Sequence, residues 1–249
     1  MMTKFINTPH GSTIAYNKIK GKKAGIVFLS GFKSDMQGKK AIHIENWAKE
    51  NDHSFLRFDY SGHGQSSGEF KKTYFTDWYN DAQFLIKKLT EGKQILIGSS
   101  MGGWIMLMLA KRMPEKVSSM IGLAAAPDFP KILIWDKLSF SQKIKLIKNR
   151  GLSIKNDDGT ENFFSYNFIK NSLNNLILTN KISFKGPVVL YHGMQDTDVP
   201  YQLSTEISKK IIGTNNIKVL LEKNGGHRLS ENNQLNTIVN LIKETNNSL

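Results

Sequence analysis

The chain has 249 residues, of which 39% are apolar and 10% aromatic, enough to bury a sizeable core as one large α/β domain or two small ones. It contains no cysteine, which excludes a disulfide scaffold, a thiolate zinc site and a cysteine nucleophile, and no apolar run reaches the roughly 18 residues of a membrane span. The formal charge is +13, but only Arg57, Arg112, Arg150 and Arg228 among the 34 basic residues are arginine, the side chain best suited to phosphates and bases, so no nucleic-acid partner is expected.

The start, MMTKFINTPHG, has neither the charged-then-apolar layout of a signal peptide nor the arginine-rich look of a transit peptide, so the expected location is the cytoplasm. The densest basic run, from Lys131 to Arg150, is the one stretch that suggests contact with an acidic partner or a membrane surface.

In chain order, Phe5–Asn7 and Thr13–Tyr16 flank Pro9-His10-Gly11 and read as an opening hairpin. Ala24–Leu29 is a continuous apolar run of the kind a buried parallel strand shows, and it ends in a turn at Ser30-Gly31-Phe32. A helical pattern follows over Lys39–Lys49, with Ala41, Ile44, Trp47 and Ala48 on one face. Phe55–Phe58 is the next strand, and Asp59–Ser66 a Gly/Ser-rich loop read as architecture, with Asp59 and His63 outside the chemistry. A helix spans Tyr74–Leu89 and stops before Gly92. Strand Gln94–Ile97 leads through a glycine-rich turn into helix Trp104–Ala110, Pro114 closes that helix, and Val117–Leu123 is a sixth strand. Strands also follow at Pro187–Tyr191 and Ile217–Leu221, with helices at Tyr201–Ile212 and Glu231–Lys243. The alternation predicts an α/β fold with a mostly parallel eight-stranded sheet flanked by helices. The rhythm breaks over residues 127–185, a stretch helical in flavour with no clear strand. It reads as a lid inserted after the sixth strand of a core formed by residues 1–126 and 186–249.

Gly98-Ser99-Ser100-Met101-Gly102 sits between that fifth strand and its helix, which is the nucleophile-elbow pattern. The spacing has a physical reason. A serine hydroxyl standing clear of the backbone needs a tight turn, and side chains two residues away on either side would strike the neighbouring strand and helix. A serine needs a base, and His227 is the only histidine beyond the last strand, in a loop after Asn224-Gly225-Gly226. The imidazole needs an orienting acid. Asp196, early in the turn after the seventh strand, is favoured; Asp198, expected to cap the next helix or to join a salt bridge, and Asp128 remain rivals, and His192 reads as structural. The oxyanion hole is assigned to the backbone N–H groups of Met101 and Phe32, so side-chain identity at both is expected to matter little. No metal-binding or phosphate-binding motif occurs, and neither metal nor cofactor is expected.

Taken together these residues resemble the α/β-hydrolase superfamily, and within it the branch of α/β-hydrolase domain-containing protein ten, acyl-protein thioesterases and acyl-glucuronide esterases. The resemblance rests on Leu29-Ser30-Gly31-Phe32, on Arg57-Phe58-Asp59-Tyr60-Ser61-Gly62, and on Gly98-Ser99-Ser100-Met101-Gly102-Gly103-Trp104. It continues through Ser165–Lys170, His192-Gly193-Met194-Gln195-Asp196 with Val199-Pro200, and His227-Arg228, and Ser30 stands where that branch tends to have proline. It implies the α/β-hydrolase fold and a Ser100–Asp196–His227 triad acting on acyl thioesters or esters, carried by small molecules or by acylated proteins. The alternatives are another triad chemistry, on carbon–carbon or peptide bonds, and a non-catalytic ligand-binding member of the fold.

Overall fold

The computed structural model describes residues 2–155 and 161–247. Strands β1 (Lys4–Asn7), β2 (Thr13–Ile19), β3 (Lys23–Leu29), β4 (His53–Phe58), β5 (Gln94–Ser99), β6 (Val117–Leu123), β7 (Val188–Gly193) and β8 (Ile217–Glu222) form one eight-stranded sheet in the order β1-β2-β4-β3-β5-β6-β7-β8. All pairs from β4 through β8 are parallel, and β2 runs antiparallel to both β1 and β4. The helices are α1 (Lys39–Glu50), α2 (Phe75–Leu89), α3 (Met101–Arg112), α4 (Phe140–Lys148), α5 (Tyr166–Leu173), α6 (Gln202–Lys210) and α7 (Asn232–Asn247).

Strand alternation builds two cores. Ile26, Phe28, Ile95, Ile97, Ile121 and Val189 point to one face, where Ala41 and Ile44 of α1 and Ile238 and Ile242 of α7 cover them. Val27, Leu29, Leu96, Met120, Val188 and Leu190 point to the other, beneath α2, α3 and α6. Each central strand is therefore apolar on both faces, which is why these segments read as continuous runs. Helix α3 is buried over every residue from Met101 to Ala110, because the sheet lies beneath it and Phe75 of α2 and Phe129 pack against its Trp104 from outside. The six parallel strands end on a common edge, so the loops after β3, β5, β7 and β8 meet there.

The stretch between β6 and β7 departs from the sequence expectation. It contains a π-helical turn at Pro130–Ile134, α4, α5, and an antiparallel hairpin of Gly151–Lys155 with Glu161–Ser165 where no strand was expected. Leu152, Ile154 and Phe164 of the hairpin pack on the main core while Phe163 faces outward, a period-two pattern too short to outweigh the helical segments around it. A second difference lies at Ile211–Ile212, which pairs with Ile182–Ser183 as a two-residue ladder rather than extending α6.

Two polar clasps hold this insertion. Asp128, buried and at φ 56°, accepts from the N–H groups of Ile177 and Leu178, each at 2.9 Å. Asn171 of α5 accepts from the Thr76 N–H at 3.2 Å, in the first turn of α2 where helix N–H groups lack internal partners.

Gly102 is where α3 crosses β3. A β-carbon there would lie 2.7 Å from the Ser30 carbonyl oxygen and nearer still to that of Leu29. Gly102→Ala is expected to lower the free energy of unfolding by about 3 kcal/mol, measured by urea denaturation, because both obstacles are backbone in a packed core.

Candidate active site

Ser100 follows β5 directly and sits at φ 53°, ψ −120°, a conformation that L-residues rarely adopt. Two backbone bonds over-determine it. Its N–H donates to the Leu123 carbonyl at 2.9 Å, and its own carbonyl accepts from the Ala126 N–H at 3.0 Å. Gly98 is required by the same turn: a β-carbon would stand 2.5 Å from the Gly102 oxygen and 2.7 Å from the Gly103 α-carbon.

The loops on the common edge bring three of the sequence-expected residues into one chain of hydrogen bonds. His227 Nε2 lies 3.1 Å from Ser100 Oγ, and His227 Nδ1 lies 2.7 Å from Asp196 Oδ2. An ionised carboxylate only accepts, so Nδ1 carries the proton and Nε2 offers its lone pair to the serine hydroxyl. The Asp196 side chain is fully shielded from solvent, whereas the His227 ring keeps 22% exposure toward the space where a substrate sits.

A fourth residue joins them that the sequence reading left as structural. His192, on the last turn of β7 and fully buried, places Nε2 3.0 Å from Asp196 Oδ2 and 3.1 Å from the Val199 carbonyl, with Nδ1 2.7 Å from Ser204 Oγ. Since both neighbours of Nε2 are acceptors, Nε2 is the protonated nitrogen, and Oδ2 receives two imidazole N–H groups. The other carboxylate oxygen, Oδ1, accepts from the N–H groups of Asp198 and Val199 at 2.9 and 2.8 Å. Burial alone would raise the Asp196 pKa, but the hydrogen bonds from His192 and His227, the His227 charge and the Val199 N–H together hold it well below the usual carboxylate range. The signal was the string His192-Gly193-Met194-Gln195-Asp196: a histidine at the end of a strand, four residues before a buried acid.

The rival carboxylates have other places. Asp128 is turned into the clasp on Ile177 and Leu178. Asp198 is exposed and does not cap α6, whose N-terminus shows no side-chain cap; its backbone N–H serves Asp196 instead. Asp59 and His63 belong to architecture, as expected. Asp59 accepts from the Met36 and Gln65 N–H groups at 2.6 and 2.8 Å and so ties the loop after β3 to the loop after β4.

The Met101 N–H opens α3, and neither it nor the Phe32 N–H donates to another group among the described residues. A β-carbon on Gly31 would come within 3.3 Å of the Ser100 β-carbon, so the backbone just before Phe32 passes close beside Ser100. The Phe32 side chain has a packing role separate from its backbone N–H. Its ring contacts Phe70, Phe129 and Phe168 with centroids 5.0, 5.3 and 5.5 Å away, joining the core loop to the insertion.

Residues 20–161 match the family described as serine aminopeptidase, S33. The chain belongs to the α/β-hydrolase family. Human palmitoyl-protein thioesterase ABHD10, mitochondrial, is 36% identical over 96% of this chain and 78% of its own length. The solved structure of alpha/beta hydrolase domain-containing protein 10 from mouse superposes with a TM-score of 0.92 at 33% identity, covering 98% of both chains. A solved structure from Agrobacterium vitis S4 gives 0.91 at 29% identity, again over 98% of both. The expectation of a cytoplasmic location does not survive this: the relatives that match over 96% of the chain are named as mitochondrial proteins.

In this α/β-hydrolase the hydroxyl opens into a cavity of about 730 Å³. Its lining includes the apolar Phe32, Phe129, Leu133, Ile134 and Phe164 together with the basic Lys33, Lys39, Lys40 and Arg228. Lys40 Nζ donates to the Arg228 carbonyl, and burial together with the Arg228 charge lowers its pKa from 10.5 to about 8. Below pH 8 both folded and unfolded chains hold that proton, so the full cost of burying the charge is present. Between 8 and 10.5 the unfolded chain binds more protons, and stability rises with pH. Lys40→Met is therefore expected to gain about 1–2 kcal/mol at neutral pH, a gain that disappears above the unfolded lysine pKa, read from urea curves across pH.

Among the described residues, Asp196, Asp198 and His227 are the one group whose ligand atoms lie within 4.8 Å of each other, close enough for a metal ion. A cation there would take the Asp196 and His227 atoms that already bond each other.

Proposed function

We propose that this chain is a serine hydrolase that cleaves acyl thioesters and carboxylic esters through an acyl-serine intermediate on Ser100. The observation that carries the reading is the unbroken line Ser100 Oγ, His227, Asp196 at 3.1 and 2.7 Å. His227 Nε2 takes the hydroxyl proton as Ser100 attacks the acyl carbonyl. The tetrahedral oxyanion accepts from the Phe32 and Met101 N–H groups, which donate to no other group among the described residues, and each such donor is worth about 3–4 kcal/mol in the transition state. The imidazolium, stabilised by Asp196, then returns the proton to the departing thiol or alcohol. Water repeats the sequence on the acyl-serine and frees the acid.

The thioesterase name of the relatives and the apolar lining of the cavity support an acyl chain held against Phe32, Phe129 and Phe164. A cavity of about 730 Å³ falls within the ~300–1,000 Å³ of small-molecule sites. Residues 127–185 act as a lid over that acyl chain, on a core of residues 1–126 and 186–249. Lys33 Nζ, which donates to Asn162 Oδ1 at 2.7 Å, is a polar tie between the two.

The test is covalent. A fluorophosphonate probe is expected to label the purified chain at Ser100 and to leave Ser100→Ala unlabelled; a folded protein that resists labelling overturns the proposal. Matched thioester and oxygen-ester series of increasing acyl length then define the substrate. Including amino-acid amides and diketones separates this reading from peptidase and carbon–carbon hydrolase chemistry.

A further inference from the structure

Helix α4 turns its apolar residues away from the core. Of Phe140, Ile144, Leu146 and Ile147 only Leu146 is buried; Phe140 is 81% exposed, Ile147 45% and Ile144 38%. The three exposed residues are spaced i, i+4, i+7. At about 100° per residue they fall within an arc of roughly 60°, a single row along the helix. Lys143 and Lys148 stand about 60° and 80° from Phe140 on opposite flanks of that row. From Lys137 to Arg150 the chain has five basic residues and no acidic one.

The helix does not need the row buried in order to form. Its start is fixed by a capping box: the Gln142 N–H donates to Ser139 Oγ at 3.3 Å and the Ser139 N–H to Gln142 Oε1 at 2.8 Å. Scattered exposed apolar residues are ordinary on a protein surface, but an aligned row with a lysine on each flank has the make-up of a binding face. A second copy of the chain packed row to row would set Lys143 and Lys148 against their own kind. A surface that is apolar at depth and anionic above it matches both features at once.

We propose that α4 docks on an anionic lipid surface, with Phe140, Ile144 and Ile147 entering the headgroup–acyl boundary and Lys137, Lys143 and Lys148 meeting lipid phosphates. The helix belongs to the insertion whose Leu133, Ile134 and Ile154 line the cavity at Ser100, so docking sets the wall of that cavity on the lipid. The inference stands apart from the reaction chemistry.

Sedimentation of the full chain with phosphatidylcholine vesicles, with and without phosphatidylglycerol, tests it. Binding is expected only to the anionic vesicles and is expected to weaken as salt screens the lysines. The combined Phe140→Ser, Ile144→Ser, Ile147→Ser variant and the Lys143→Glu, Lys148→Glu variant should each lose at least about tenfold in partitioning. Turnover of a soluble short-chain ester by these variants should be unchanged, which reports that they are folded. Ser100→Ala should bind vesicles as the parent does, so a failed hydrolase reading leaves this result intact. Three results overturn the proposal: no binding to anionic vesicles, equal binding to neutral ones, or full binding by the combined Phe140→Ser, Ile144→Ser, Ile147→Ser variant. A dimer on gel filtration that the serine substitutions dissolve overturns it in favour of self-association.

Discussion

Ser100→Gly is expected to abolish turnover and to make the protein more stable. Without the hydroxyl no acyl-enzyme forms, and kcat should fall by about 10⁴–10⁶-fold, leaving what binding and the oxyanion donors supply alone. The stability gain comes from the backbone. At φ 53° and ψ −120° a β-carbon is strained, and glycine occupies that region freely. The unfolding free energy should rise by about 1–2 kcal/mol in urea titration. Ser100→Ala is the control, since it loses the same activity and keeps the β-carbon, so its stability should stay near that of the parent. If glycine gives no gain over alanine, the backbone at the elbow is not under strain.

Asp196→Asn is expected to cost about 10⁴-fold in kcat with only a modest change in KM. The reason is a count of donors. Oδ2 receives N–H groups from both His192 and His227, and Oδ1 receives two more from the backbone of Asp198 and Val199. An asparagine that keeps its oxygen toward the backbone turns an NH₂ group toward two imidazole N–H groups. His227 then shifts its proton to Nε2 and loses the lone pair that faces Ser100. The same site gives a pH signature. The Asp196 pKa is depressed in the folded chain, so its contribution to stability is present above about pH 4, the unfolded carboxylate value, and is lost as pH falls through the folded value. Urea curves for the parent and Asp196→Asn should therefore differ at neutral pH and draw together in strong acid. A constant difference across that range would mean that Asp196 is not held ionised by its neighbours.

The strands were legible because each central one is apolar on both faces, and Ile95-Leu96-Ile97 can be read as buried without knowing its neighbours. The elbow was legible because close backbone approach forces glycine at 98 and 102, and steric demands of that kind leave marks in sequence. Meeting points between distant loops were harder. The choice of Asp196 over Asp198 and Asp128 followed from position after β7, yet the double load on Oδ2 depends on the path of the chain through Val199 and on Ser204, which no local pattern encodes. Phe32 was assigned for its N–H alone, and the packing of its ring was not foreseen because the aromatic partners come from residues 70, 129 and 168, far apart in the chain. The hairpin at 151–165 was missed although Asp158-Gly159, a strong turn pair, sits between its halves; those two residues lie outside the described part of the chain.

Asp128 has a consequence beyond its own stability. By gripping residues 177 and 178, it brings the point where the chain leaves the sheet against the point where it returns. What lies between is anchored again by Asn171 on Thr76 and by Phe129 and Phe168 on the Phe32 ring, so changes that keep those anchors leave β6 and β7 undisturbed. On the lid reading proposed above, the roof can thus be rebuilt between its anchors, and with it the range of acyl groups admitted, while the floor that carries Ser100 stays as it is.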